Sequence, residues 1–258
     1  MAIQADELVE AARSNDEDTL HLLLELGVSV NCQGAGATPL IAACENASIS
    51  CIRHLISSGA NVNLASLRGN TPLRAAVLSG DSECIAMLLA LNPTLESATG
   101  TALAAAAQLG DCETLNVLVA AGADVAHESR DGVTALMAAV IADQHQAIRL
   151  LLSLGADPTA SSKDGVSAVD IAQKRNLPVA YSLLLQASIL HDANQALVDS
   201  ESSAAERKLV LESSESAARL LLEAENGVGR RQVASKVDTI RAENEELRRR
   251  MGLAPRKG

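Results

Sequence analysis

Few residues in this chain could do covalent chemistry, and they are poorly arranged for it. The thiols are Cys32, Cys44, Cys51, Cys84 and Cys112. Their number is odd and no C-x-x-C occurs, which disfavours a disulfide framework or a structural zinc site. Free, partly buried thiols in a reducing compartment fit better. The histidines, His21, His54, His127, His145 and His191, show no H-E-x-x-H or similar ligand spacing. No Walker-type loop, G-x-G-x-x-G or G-x-S-x-G is present. Asp81 and Asp111 each follow a glycine where a helix is expected to start, a place that favours the helix dipole rather than acid–base work. Ser200, Ser202, Ser203, Ser213, Ser214 and Ser216 lie in an acidic, low-complexity stretch, which reads first as a solvated linker or helix face and second as a phosphorylation target. The residue types therefore predict no catalytic group, no cofactor and no metal, and direct attention to binding.

The elements that would carry a binding surface are written in the composition. The chain has 258 residues, 48% hydrophobic and 21% charged, with no Phe, no Trp and a single tyrosine, Tyr181. Such a core must be built from Leu, Ile, Val, Ala and Met, which suits thin layers of closely packed helices. Charge is uneven along the chain. Residues 1–186 carry 20 acids and 9 bases, residues 187–226 carry 8 acids and 3 bases, and residues 227–258 carry 4 acids and 9 bases. An acidic body disfavours nucleic acid or an anionic membrane as the main partner, while the basic end keeps a smaller version of that possibility open. The opening MAIQADELVEAAR has no apolar core of signal-peptide length, and no run of about 18 apolar residues occurs. The expectation is a protein of the cytoplasm or nucleus.

Three ladders run through the first 186 residues in one phase. Thr-Pro-Leu at 38–40 and 71–73 is followed by Thr-Ala-Leu at 101–103 and 134–136 and by Ser-Ala-Val at 167–169, in steps of 33, 30, 33 and 33. Gly27, Gly59, Asn92, Gly122 and Gly155 form the second ladder, and paired aliphatics from Leu23-Leu24 to Leu151-Leu152 form the third. Each unit has a physical reading. The Thr caps a short Ala-rich helix entered through Pro or Ala. Gly80 and Gly110 break the chain, and a second helix carries apolar residues at i, i+3, i+4 and i+7. The glycine at its end supplies a left-handed cap, and an extended finger leads on. No unit can bury its own apolar face, so only stacking completes the core.

The runs TPLIAA and TPLRAA, the degenerate TALAAA, TALMAA and SAVDIA, and the tails GANVN and GADV resemble the ankyrin repeat over about residues 1–186. The resemblance implies an all-α solenoid of six helix-pair units with short extended fingers. The first unit lacks the T-P-L start. The sixth carries Gln173, Lys174, Arg175 and Pro178 where earlier units are apolar or small, as a closing cap requires. Two departures matter. The usual His after T-P-L is replaced by Ile41, Arg74, Ala104, Met137 and Asp170, which removes the hydrogen-bonded network that His would support. The 30-residue step also removes three residues at one finger, which should shorten or kink any surface running along the fingers.

In ankyrin-like stacks the partner commonly lies on the concave side, so the resemblance implies a site by position. On fingers it selects Arg68 and Asn70, then Arg130, Asp131 and Val133, then Lys163 and Asp164. On first helices it selects Glu45, Arg74, Leu78, Gln108, Leu109, Met137 and Ile141. Leu78, Leu109 and Ile141 are read as one position of three successive units, which would form an apolar strip flanked by Arg68, Arg74 and Arg130. The alternative is that these aliphatics pack against neighbouring units or under the carboxy-terminal helix.

After residue 186 the repeat stops. Residues 187–226 read as an acidic Ser/Ala-rich helical segment. Residues 227–258 read as a basic helix with a short heptad in which Val237, Asn244 and Met251 fall at a and Val233, Ile240 and Leu247 at d. One Asn among apolar a positions is a device for a parallel dimer, whereas Lys236 would face Arg241 across it, so a lone amphipathic helix stays open. Three functions are compatible with these features: an adaptor or scaffold holding one or more proteins, an inhibitory or regulatory subunit using the same face, and nucleic-acid binding by the basic end. The last is disfavoured because no aromatic is available there to stack on bases. Sedimentation of the full chain against a 1–226 truncation decides between the seam and the lone helix: a dimer that becomes a monomer on truncation would support the seam, and equal monomer masses would end the proposal.

Overall fold

The computed structural model describes residues 2–96 and 100–199. These form twelve α-helices in six pairs: α1 (Ala2–Arg13) with α2 (Glu17–Glu25), α3 (Pro39–Glu45) with α4 (Ile49–Ser57), α5 (Pro72–Ser79) with α6 (Ser82–Leu89), α7 (Ala102–Leu109) with α8 (Cys112–Ala120), α9 (Ala135–Ile141) with α10 (His145–Ser153), and α11 (Ala168–Lys174) with α12 (Pro178–Asp199). The expected all-α architecture of six helix pairs is observed. Within the described residues two compact bodies can be separated: one runs to Leu151 and includes Ser162–Asp164, and the other comprises Leu152–Ser161 and the residues from Gly165 on. The helix α12 passes without a break through residue 186. The heptad residues Val233, Val237, Ile240, Asn244, Leu247 and Met251, and the serine run from Ser200, lie outside the described residues.

Each first helix begins for a local reason. The hydroxyls of Thr38, Thr71, Thr101 and Thr134 accept the backbone N–H three residues on, at 3.2, 3.3, 2.9 and 3.3 Å. Pro39 and Pro72 sit in first turns, where their missing N–H is not needed. Three of the second helices, α2, α6 and α8, are capped by carboxylates instead. Asp16, Asp81 and Asp111 accept from Thr19, Cys84 and Thr114. The place expected to favour the helix dipole thus has a more specific occupant, an Asp acting as N-cap. At the ends of α2, α4, α6, α8 and α10 the chain turns through a left-handed residue: Gly27, Gly59, Gly122 and Gly155 have φ of 84, 85, 98 and 90°, and Asn92 holds the same slot at 49°. Asparagine tolerates that region better than other side chains, which explains the one exception in the ladder.

Packing in the first body is dominated by its first helices. α1, α3, α5, α7 and α9 touch in sequence as a row, while the second helices α2, α4 and α6 meet more sparingly. Ala42, Ala43, Ala75, Ala76, Ala106 and Ala139 are fully buried in that row. Their small volume lets neighbouring backbones approach. Leu40, Leu73, Leu103 and Leu136, from the T-P-L and T-A-L motifs, are buried beneath them. Each such Leu contributes about 1.5–3 kcal/mol relative to exposure.

Several cross-unit hydrogen bonds lie at the finger bases, away from the position of the missing histidines. Asn31 Oδ1 accepts the Asn61 N–H at 2.7 Å, Asn63 Oδ1 accepts the Thr94 N–H at 2.8 Å, and Glu96 Oε1 accepts the Asp124 N–H at 3.0 Å. Ser48, which makes no cap bond of its own, donates to the Arg13 carbonyl of the preceding unit at 3.2 Å. The shortened finger adjoins residues 97–99, outside the described residues, so its expected effect on the surface lies partly outside them too.

In the second body, α11 and α12 pack together and α11 opens with a capping box. Ser167 Oγ accepts the Asp170 N–H at 3.2 Å, and Asp170 Oδ2 accepts the Ser167 N–H at 2.8 Å. The Ser167 hydroxyl and N–H hold the Asp170 carboxyl below its ordinary value of 3.8. A depressed folded-state pKa stabilises above the unfolded value, and that stabilisation is lost as pH falls through the folded value. Asp170→Ala is therefore expected to lower stability by about 1 kcal/mol at pH 7. The difference from the parent protein should shrink as pH falls below 3.8, as read by urea unfolding at neutral pH and across that range.

Candidate functional site

The candidate face is assembled from the fingers and the first helices of the first body. Two fingers end in tight turns of the same construction. In one, Ser66 N–H donates to the Asn70 carbonyl at 2.8 Å and Asn70 N–H to Ser66 Oγ at 3.1 Å. In the other, Ser129 N–H donates to the Val133 carbonyl at 3.0 Å and Val133 N–H to Ser129 Oγ at 3.1 Å. These turns put Leu67 and Arg68 at one tip and Arg130 and Asp131 at the other, all exposed, with Asn70 and Val133 half-buried at the bases. The second tip closes against the next finger: Lys163 N–H donates to the Asp131 carbonyl at 3.1 Å. Gly132 makes that approach possible, since at φ 76° a Cβ there would stand 2.7 Å from the Lys163 nitrogen. Lys163 and Asp164 are exposed at their own tip.

On the first helices the positions three and seven residues after the capping Thr share a face. They hold Ile41 and Glu45 on α3, Arg74 and Leu78 on α5, Ala104 and Gln108 on α7, and Met137 and Ile141 on α9. Two corrections follow. Met137 is 1% exposed, packed within the stack as Ile41 is, and cannot meet a partner in this conformation. Leu109 lies eight residues after Thr101, whereas Leu78 and Ile141 lie seven after Thr71 and Thr134, so the three are not in register and Gln108 stands between Leu78 and Ile141. Leu78, Leu109 and Ile141 are nonetheless 42, 46 and 42% exposed near the ends of three adjacent helices. Glu45 is exposed and is approached by Arg13 at 3.6 Å.

Arg74 is the most constrained polar group of this face. It is half-buried, and its Nη1 donates to Asn70 Oδ1 at 2.9 Å. Asn70 is thus both finger base and arginine holder. Arg74 Nε passes 3.6 Å from where a Cβ of Gly100 would stand, and Gly100 places no side chain there. Leu67, 80% exposed, belongs to this site although its type and spacing did not single it out. The signal was available: it is an aliphatic inside a finger tip whose counterpart is Arg130. Exposed aliphatics also occur on second-helix segments, Leu22 and Leu26 at α2, Leu91 after α6 and Val117 on α8, so exposure alone does not mark the face.

The chemistry-bearing residues fall elsewhere. His21 and His54 come together across α2 and α4 with ring centroids 5.1 Å apart, beside a shallow groove of about 370 Å³. Glu25 and Glu17 lie 3.5 and 3.7 Å from their ring nitrogens. His127 lies 3.3 Å from Glu96 at a finger base. Among the described residues no group of three or more His, Cys, Asp or Glu is placed to hold a metal ion, and no helix is long and apolar enough to cross a membrane. The thiols are free, and Cys44, Cys51 and Cys84 are buried. Cys44 and Cys84 share a hydrogen bond between units, and that bond together with burial raises the Cys44 thiol well above its ordinary value. Burial, with Glu17 and Asp16 nearby, raises Cys51 to about 11.

Comparison with known proteins agrees with this architecture. A family model described as ankyrin repeats in three copies matches residues 8–99 and again 102–195. The human ankyrin repeat and SOCS box protein 16 is 30% identical over 131 residues, which is 49% of this chain and 29% of that protein. The chain thus spans under a third of that relative's length. Among solved structures, the ankyrin repeat domain of human ASB11 superposes with a TM-score of 0.60 at 26% identity, covering 70% of this chain and 82% of that one. An ankyrin repeat domain from Acinetobacter baumannii gives 0.58 at 31% identity, covering 70% and 96%.

Buried, protonated thiols react slowly because the thiolate is the nucleophile. Iodoacetamide at pH 8 is expected to label the half-exposed Cys112 first and Cys32, whose thiol burial raises, more slowly. Cys44, Cys51 and Cys84 should react only after denaturant is added. Mass spectrometry of the labelled peptides checks this, and prompt labelling of Cys51 in the native protein would contradict it.

Proposed function

The chain belongs to the ankyrin-repeat family, and from that premise we propose that it is a non-catalytic adaptor or scaffold that holds a partner protein on the face built by its fingers and first helices. Repeats of this family are typically protein-binding modules. One observation carries the finer reading. On α5 an arginine fixed by Asn70, Arg74, stands one helical turn from exposed Leu78, and the preceding finger tip presents exposed Leu67 and Arg68. An arginine side chain held in place before a partner arrives, as Arg74 is, loses little freedom on binding. Arg68, Asn70, Arg74, Leu78, Gln108, Leu109, Arg130, Asp131, Val133 and Ile141 are the proposed contact set, with Leu67 added.

An inhibitory or regulatory subunit would use the same face, and a copurified enzyme whose activity falls on binding would favour that reading. The divisions at 186 and 226, the dimer seam, and placement in the cytoplasm or nucleus are proposed on sequence grounds. The double variant Leu78→Glu with Leu109→Glu introduces charge only at exposed positions. It is expected to keep the thermal unfolding midpoint within a few degrees of the parent, about what surface substitutions cause, and to lose proteins retained by the parent in a pull-down. Retention of the same proteins would overturn the assignment of this face.

A further inference from the structure

The charges of the first body are not distributed evenly between paired and unpaired arginines. Arg13 lies 3.6 Å from both Glu10 and Glu45, and Arg53 lies 2.6 Å from Glu83. Arg68, Arg74 and Arg130, on the finger and first-helix face, and Arg149 on α10 have no carboxylate partner among the described residues. Of the acids near this face, Glu45 is engaged by Arg13, Asp131 adjoins Arg130 on the second finger tip, and Asp164 stands on the tip after that. In a chain carrying 11 more negative than positive charges, leaving Arg68 and Arg74 together without an acid needs a cause.

Arg74 supplies it. A guanidinium offers five N–H donors in a fixed fork, and Asn70 Oδ1 takes only one of them. The chain opposite, at Gly100, adds no side chain over the Nε edge. The fork is oriented and half-withdrawn from water, and the donors that Asn70 does not take suit a carboxylate in two-point contact. Exposed Leu78 lies four residues on along the same helix face, and Leu67 lies next to Arg68 on the finger before it. The complement of this arrangement is an aliphatic side chain with a carboxylate beside it.

We propose that the partner docks through an acidic-aliphatic segment of its chain, seating one carboxylate on Arg74 and aliphatic side chains on Leu78 and Leu67. This rests on the face assignment made above and adds the chemistry of the partner. The negative body would then repel acidic proteins generally while admitting one acidic segment at one place, so specificity comes from the local exception in the field.

The probe is a displayed library of random dodecapeptides panned against the full chain, followed by affinity measurement of the recovered peptides by fluorescence anisotropy. Recovered sequences are expected to place Asp or Glu beside Leu, Ile or Val, and their binding should weaken with added salt. Arg74→Gln, which keeps a donor for Asn70, should weaken them about tenfold, and Arg74→Lys should restore only part of the loss. Recovered peptides that are neutral or basic, binding unchanged by Arg74→Gln, or no enrichment at all would overturn the inference. The two readings fail separately. If neutral or basic peptides bind and Leu78→Glu with Leu109→Glu abolishes their binding, the face stands and the partner chemistry falls. If acidic peptides bind that double variant as well as the parent, the face itself is wrong.

Discussion

Close approach of neighbouring first helices is the constraint on which the described structure rests. A seven- or eight-residue helix has too little surface to bury its own apolar side, and α3, α5, α7 and α9 are of that length. They are stable because each lies against the next with alanines between them, as Ala75 and Ala76 do on α5 and Ala105 and Ala106 on α7. A larger side chain at those positions would hold the backbones apart and expose the leucines below. The absence of Phe and Trp and the abundance of Ala are therefore one fact seen twice. The repeat needs thin layers, and bulky filler would spoil them.

What the alanine row leaves open, the finger bases complete. Their side-chain acceptors, Asn31, Asn63 and Glu96, each receive a backbone N–H of the following unit. A carbonyl or carboxylate oxygen at the base of one finger thus registers the next, which is what the histidines missing after T-P-L would have done from another position. The same positions after T-P-L are thereby released. Ile41 and Met137 fill space, while Arg74 faces outward. The departure from the family pattern and the candidate binding arginine are in this sense the same substitution.

Features closed within three or four residues could be read directly from the residues. The Thr caps, the carboxylate caps of the second helices and the left-handed slots at Gly27, Gly59 and Asn92 involve only a side chain and its own turn. Features that depend on a neighbouring unit could not. Whether the residue three after the Thr is covered depends on the volume of what lies opposite, so Met137 is buried while Arg74 is not. Leu109 is exposed, but it lies one residue beyond the position that Leu78 and Ile141 share when each is counted from its capping Thr.

Alone, then, the sequence determined the period, the helix pairs, the caps that start and stop them, and a core of small aliphatics, because each follows from side-chain volume and hydrogen bonding inside one unit. Tertiary structure decided which residues face outward, that Leu67 stands clear at a finger tip, and that Cys44 meets Cys84 between units. Those depend on groups that a single unit never brings together. They exist only once neighbours have stacked, and it is their arrangement, more than the repeat itself, that gives the proposed face its chemistry.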